Sequence, residues 1–308
     1  MRPHPGLLGA AILLCQPLIA HAQTSPAPSQ APRAAVHIDT FISRDADKTQ
    51  VMKSGVDLDW QYSGPEKYRG IRIENARFDP FGQGWESRDR IYLRLADRFG
   101  DWSAATRVGT DGETVLGSAV IHNDAAFRQE YFVERDIVET PQGLGRGIYY
   151  TYVGGALDLP FDEDNSATVL AGVQDFTGDN VRLHLRANYV HILDREKGLS
   201  AQLRTRYFHN SRPREFDYYS PRWYAQIVPV LQLRRFSHGW RYLVAGGIGV
   251  QRDADSDWRR SSYFNAEVTT PERNDWALKA AFLFSETPGA SSDAYSYSQV
   301  TVGLTRVF

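Results

Sequence analysis

The chain has 308 residues, 42% hydrophobic and 23% charged, with a formal net charge of −2. That balance supplies no basic footprint for nucleic acid and no charged face for a membrane surface. The one cysteine, Cys15, lies in a stretch expected to be cleaved off, which excludes disulfides, thiolate metal sites and a thiol nucleophile in the mature chain.

Residues 1–22 read as a secretory signal peptide. Arg2 and His4 form a weakly basic head, Leu7–Leu14 an apolar core, and Ala20-His21-Ala22 a small-x-small cleavage site. The core is too short to span a bilayer. A lipoprotein signal needs a small residue before its cysteine, and Leu14 stands there, so Cys15 belongs to the discarded leader. Residues 23–35 are rich in Pro, Ser and Ala and read as a disordered linker. From residue 36 to 308 the composition does not break, and one domain is expected. No later run reaches the roughly 18 apolar residues of a transmembrane helix.

Period-two alternation dominates residues 36–308. It is the signature of β-strands, whose successive side chains point to opposite faces. After Val36–Ser43, residues Val56, Leu58, Trp60 and Tyr62 alternate with Asp57, Asp59 and Gln61. Ile71 and Ile73 alternate with Arg72 and Glu74, then Ile91, Leu93 and Leu95 with Arg90, Tyr92 and Arg94. Trp102–Val108 places Ser103 and Arg107 on the polar face, Thr114–Ile121 comes next, and Phe127–Glu134 sets Glu130, Phe132 and Glu134 against Tyr131 and Val133. Ile148–Leu157 and Ala167–Phe176 precede the clearest hairpin, Val181–Phe208. Its apolar face alternates with Arg182, His184, Arg186 and Asn188, and then with Gln202, Arg204 and Arg206, across the turn D-R-E-K-G. Trp223–Arg235 contains Pro229, which indicates an edge or a bulge. Trp240–Gln251 contains A-G-G-I-G-V, where glycine marks a bend or a close backbone approach. Ser262–Thr270, Trp276–Ser285 and Tyr295–Phe308 complete the series, and no segment of ten or more residues has a helical period.

One hairpin of this kind fits a soluble sandwich or a membrane barrel; the whole series favours the barrel. It comes to about sixteen strands, an even number. Alternate connections are short (S-G-P-E-K, D-R-F-G-D, H-N-D-A, D-R-E-K-G, F-S-H-G, P-E-R-N-D), with 159–166 the exception. The other set includes the long ones, 44–54, 79–89, 138–146, 209–222 and 286–294, with short members near 109–113 and 177–180. Trp60, Tyr62, Trp102, Tyr189, Tyr207, Trp223, Trp240 and Trp276 lie near strand ends on the apolar face, as interfacial girdles would. Phe308 ends the chain with Leu304, Val302 and Val300 on its face, similar to the C-terminal signal read by the barrel assembly machinery; Arg306 departs from that pattern. The expected fold is all-β: a single transmembrane antiparallel up-and-down barrel.

The polar face carries Arg90, Arg94, Arg107, Arg182, Arg186, Arg204, Arg206, Arg234 and Arg241, opposed by Asp57, Asp59, Glu74, Glu130, Glu134 and Glu267. Such a lumen fits a conduit for anionic or hydroxylated solutes, and equally a lumen solvated or plugged by its own ion pairs. Tyr92, Phe132, Tyr224 and Tyr263 on that face could stack on sugar rings. His184, His191, His209 and His238, with Ser200, Ser211 and Ser237 nearby, sit in no recognisable nucleophile motif. No catalytic residue, metal site or cofactor is therefore expected, and the chain reads as a non-enzyme.

Two stretches resemble a family. G-V-Q-D-F-T-G-D-N-V-R-L-H-L-R at 172–186 is similar to a hairpin of exopolysaccharide export porins, and F-D-Y-Y-S-P-R-W-Y at 216–224 with L-Q-L-R-R-F-S-H-G-W resembles their aromatic loop and next strand. The resemblance is to the C-terminal barrel of the cellulose and poly-N-acetylglucosamine exporters, over roughly the last half of the chain. Their tetratricopeptide repeats, which contact the synthesis machinery, have no counterpart here. The resemblance implies a passive outer-membrane pore for polysaccharide or another polar solute. It makes Asp179, Asn180, Tyr218, Tyr219, Pro221 and Arg222 candidate loop residues, and outer-membrane lipid, a polysaccharide or its periplasmic synthesis and export proteins candidate partners. The competing readings are a structural or adhesive barrel and a lipid-modifying barrel enzyme. An open lumen, a lumen plugged by large ordered loops, and a Ser–His pair at the lipid face would respectively favour the three.

Overall fold

The computed structural model describes residues 33–271, 275–287 and 295–308. The expected signal peptide and most of the linker lie outside the described residues. Strand β1 begins at Arg33, so the last three residues assigned to the linker are paired in the sheet.

Sixteen strands run in chain order: β1 (Arg33–Asp45), β2 (Gln50–Tyr62), β3 (Tyr68–Asp79), β4 (Glu86–Phe99), β5 (Trp102–Thr110), β6 (Val115–Asn123), β7 (Gln129–Ile137), β8 (Tyr149–Pro160), β9 (Asn165–Phe176), β10 (Val181–Asp194), β11 (Leu199–Asn210), β12 (Trp223–Ser237), β13 (Trp240–Asp253), β14 (Arg259–Thr269), β15 (Trp276–Thr287) and β16 (Tyr295–Val307). Each pairs antiparallel with its chain neighbours, and β1 pairs with β16 to close the barrel. Closure leaves no edge strand, which is the condition for a sheet to cross a bilayer.

The alternation places side chains as expected. On β4, Ile91 and Leu93 are 52% and 60% exposed on the outer face, whereas Arg90 and Tyr92 are each 3% exposed on the inner face. The same outward belt runs through Ile38, Ile73, Val153, Leu183, Leu185, Leu231, Ile248 and Val302. A contiguous apolar surface of this extent is a lipid-facing surface, not a soluble one. Replacing Leu93 by arginine is expected to cost about 2–4 kcal/mol if the residue sits near the bilayer midplane. Reversible urea unfolding from lipid vesicles measures it, and a cost near zero would remove Leu93 from the belt.

Two irregularities depart from the sequence reading. The β2–β3 register shifts between Asp59 and Gln61. The extra residue reverses the facing of those after it, so Tyr62 turns inward, pairs with Tyr68 and meets the ring of His37 at 5.6 Å. Tyr62 therefore does not belong to the outer girdle. Pro229 is neither at an edge nor at a bulge. It lies mid-strand with its ring outward, and the β12–β13 ladder skips Val228 and Pro229 without changing register. A Cβ at Gly247 would collide with the Pro229 carbonyl, and one at Gly249 with the Ile227 carbonyl, which explains two of the three glycines opposite this stretch.

The strands run longer than their alternation marks, so most connections shrink. One end of the barrel carries the short turns 63–67, 100–101, 124–128, 161–164, 195–198 and 238–239, together with Arg33 and Phe308. The exception expected at 159–166 is thus a short turn like the rest. The other end, the loop end, carries 46–49, 80–85, 111–114, 177–180 and 254–258, and two longer connections, 138–148 and 211–222. The first of these holds a short helix, α1 (Pro141–Arg146), begun by Thr140, whose side chain accepts from Gly143 N–H, and ended by left-handed Gly147. Arg306, which breaks the terminal apolar pattern, lies over the rings of Trp276 and Phe308 at 4.7 and 5.1 Å.

Candidate functional site in the lumen

The inner faces of β1–β4 and β7 form an ion-pair lattice. Arg72 reaches Asp39 at 2.5 Å, Asp57 at 2.9 Å and Glu74 at 2.9 Å. Its guanidinium occupies the space that a Cβ on Gly55 would fill. Arg90 bridges Glu74 at 3.3 Å and Asp136 at 3.0 Å, and Arg94 bridges Asp57 at 2.5 Å and Asp59 at 3.3 Å. Lys53 extends the lattice to Asp136 and, at 2.9 Å, to Glu139 of the 138–148 loop. These carboxylates outnumber the cations beside them, so this wall carries excess negative charge.

The wall formed by β10–β13 is different. Arg182 donates to Asn210 Oδ1 at 2.8 Å and to the Tyr219 carbonyl at 2.5 Å, between the rings of Phe176 and Phe208. Further from the loop end, Arg186 stands opposite Arg206 in the ladder. Arg206 lies over Phe208 and Tyr224, and Arg204 lies over Tyr263 at 4.5 Å while donating to Gln202. Arg234 and Arg241 continue the line towards the turn end. Among the described residues no carboxylate forms an ion pair with Arg182, Arg186, Arg204 or Arg206. The lumen is thus electrostatically two-sided.

The two longer loops fold over the inner wall. Leu144 of α1 packs with Val51, Phe78, Tyr92 and Leu116 from inward faces, and with Ile137 and Tyr149 at the loop-end tips of β7 and β8. Tyr219 packs with Phe208, Tyr224, Leu283 and Tyr297, and its hydroxyl donates to Asp253 at 2.7 Å. Asp217 ties one loop to the other. It accepts from the Thr140 hydroxyl at 2.6 Å and from Gln142 N–H at 2.8 Å at the start of α1.

The two stretches that carry the family resemblance meet in space. Glu215 accepts from the N–H groups of Asp179 and Asn180, and Arg212 pairs with Asp179 at 3.5 Å. Asn180, fully buried, donates to Asn210 and to the Tyr218 hydroxyl. Tyr218 stacks on Phe176 at 4.5 Å, Pro221 accepts from Asn210, and the Arg222 carbonyl accepts from Asn210 N–H while its side chain is exposed. These residues build one packed corner of the loop end.

The remaining candidates divide. Arg90, Arg94, Arg182, Arg186, Arg204 and Arg206 face inward, as does Arg107, which lies over Tyr92 at 5.1 Å. Glu130 pairs with Arg128 at 2.6 Å, Glu267 accepts from Asn265, and buried His184 meets Gln174 at 3.0 Å. Tyr92, Phe132, Tyr224 and Tyr263 also point inward, but three of these rings are covered. Arg107 covers Tyr92, Arg204 covers Tyr263, and Tyr224 is 1% exposed. They are wall packing and guanidinium supports, not faces presented to a passing sugar. Lys53, Asp136, Glu139 and Asp217 escaped the sequence reading. Lys53 shares the inward parity of Asp57 and would have emerged had β2 been started at Gln50. Ser237 Oγ lies 2.9 Å from Nδ1 of His238, but the two are adjacent residues of an exposed turn.

No protein-family model and no curated protein sequence matches the chain. Among solved structures, one described as a bacterial polysaccharide outer membrane secretin superposes with a TM-score of 0.70 at 14% identity, covering 91% of this chain and 99% of that one. OccK5 (OpdH) of Pseudomonas aeruginosa superposes at 0.48 with 9% identity, over 90% of this chain and 98% of that one. OprD of the same organism gives 0.45 and 9%, over 92% and 98%. The likeness to the secretin establishes a shared barrel fold.

Proposed function

We propose that this chain is a passive outer-membrane channel for a polysaccharide or another polar solute, delivered by its signal peptide and inserted through its Phe308-terminated strand. The observation that carries this reading is the arginine line from Arg182 to Arg241 along the inner wall of a sixteen-stranded barrel. Barrels of about 16 strands enclose an aqueous channel. The fold shared with a polysaccharide secretin supports a polymer as the solute. Arg182, Arg186, Arg204, Arg206, Arg234 and Arg241 would line the path on one side, and the lattice around Arg72 would form the other.

A second reading, a structural or adhesive barrel, is favoured by the packing of Leu144 and Tyr219 into the loop end. Single-channel conductance of the refolded chain in a planar bilayer separates the two. Steady current that soluble glycan reduces is expected of the channel; an inserted but silent barrel would favour the second reading.

A further inference from the structure

We propose that Arg186, Arg204 and Arg206 form a binding subsite for the carboxylate groups of an acidic polysaccharide. The assignment deepens the channel reading and rests on it for how such a polymer would reach the lumen.

Arg186 and Arg206 are directly opposite partners on β10 and β11, and both face inward. Like charges in that position destabilise a strand pair. Arg94 and Arg107 are likewise opposed on β4 and β5, but there Asp57 and Asp59 pair with Arg94, and other inward arginines of the lattice face an opposite charge. Arg72 stands across from Asp57 and Arg90 across from Glu74, and each pair is joined by an ion contact. At Arg186 and Arg206 no carboxylate is supplied among the described residues, and Arg204 adds a third cation on the neighbouring inward rung, opposite Asn188.

The guanidinium groups are also held ready. Phe208 and Tyr224 lie under Arg206, and Tyr263 lies under Arg204. A ring beneath the guanidinium plane fixes its tilt; at Arg206 this leaves the terminal N–H groups free, the geometry that grips a carboxylate through two parallel bonds. Arg204, by contrast, gives its Nε and one terminal nitrogen to Gln202, has the other enclosed, and contributes charge only. The Nε atoms of Arg186 and Arg206 are enclosed without an acceptor, so each group is committed to the wall through its stem. Their terminal nitrogens are not enclosed and donate to no acceptor among the described residues. Two open forks on one rung, Arg186 and Arg206, with the added charge of Arg204 on the next inward rung, fit an anion that recurs along a chain better than a single small ion.

Equilibrium binding to the refolded, detergent-solubilised chain tests this without requiring current. The probes are oligogalacturonate, a cello-oligosaccharide of equal length, and inorganic sulfate. Oligogalacturonate is expected to bind at least about tenfold more tightly than either, through charge-assisted bidentate bonds. The double variant Arg186→Gln with Arg206→Gln should lose that preference. It should also unfold no more readily than the parent, because it removes a repulsion; a merely structural pair would give a weaker barrel. The Arg186→Lys and Arg206→Lys pair should bind with intermediate strength, keeping charge without the fork. Equal binding of the acidic and neutral glycans, sulfate binding as strong as oligogalacturonate, or an unchanged preference in the Gln variant would each overturn the proposal. Acid-selective binding by an electrically silent barrel would sustain the subsite and reject the channel. Conductance without acid preference would do the reverse.

Discussion

Replacing Arg72 with methionine is expected to destabilise the barrel by about 3–5 kcal/mol, the cost of leaving buried charges without their partner. Arg72 is the hub of the β1–β3 wall: its side chain is 7% exposed and contacts Asp39, Asp57 and Glu74. Without it, three carboxylates face one another on neighbouring strands, with Arg90 and Arg94 left to compensate at the margins. Urea unfolding from lipid vesicles, monitored by tryptophan fluorescence, measures the effect. A change below about 1 kcal/mol, the range of solvated surface pairs, would mean that the lattice is hydrated and dispensable.

Replacing residues 139–147 with a short Gly/Ser linker is expected to raise single-channel conductance by a factor on the order of two or more, because current is set by the constriction. The deleted segment contributes Leu144 to the inner apolar cluster and Glu139 to Lys53. It is clamped by Asp217 and by Arg88, which donates to the Leu144 carbonyl at 2.9 Å and pairs with Asp111 at 3.3 Å. Acid should loosen the same clamp. Burial works against ionisation of Asp111, but the N–H groups of Glu113 and Thr114, the Tyr149 hydroxyl and Arg88 outweigh it and hold its carboxyl below the usual range. A depressed folded value stabilises above the ordinary carboxylate pKa of about 3.9 and loses that contribution as pH falls through the lower folded value. Conductance that neither the deletion nor acid below that range changes would remove this loop from the conduction path.

Much of this architecture was legible in the sequence. Strict alternation with polar turns between gave the strands, and parity gave the inward arginines, because the side-chain period of a strand is two whatever surrounds it. What parity could not deliver was anything set by a single extra residue or by a distant partner. The bulge after Asp59 carries no compositional mark, yet it reverses Tyr62. The helix P-Q-G-L-G-R is too short and too glycine-rich to show a period; only the Thr140-Pro141 start was readable. The Asp217–Thr140 contact spans 77 residues of chain, and neither residue stands out alone. Parity likewise marked Tyr92 and Tyr224 as inward without revealing that arginines and neighbouring rings would cover them.

The barrel closes where its first and last strands meet. Phe308 N–H donates to the Ala34 carbonyl at 2.8 Å, and Arg33 Nε donates to the Phe308 carbonyl at 3.0 Å. In connectivity the described chain is therefore almost a ring of hairpins with one unsealed joint. Every ladder but one can zip between strands adjacent in sequence as soon as both exist, at little entropic cost for loop closure. Only β1 with β16 must wait for the whole chain. Until that joint forms, the sheet has two raw edges, which lipid cannot satisfy. Insertion thus becomes an all-or-none event keyed to a single seam. The same logic makes the starting point of the ring arbitrary: joining 33 to 308 and opening any short turn would leave every strand with the same two neighbours.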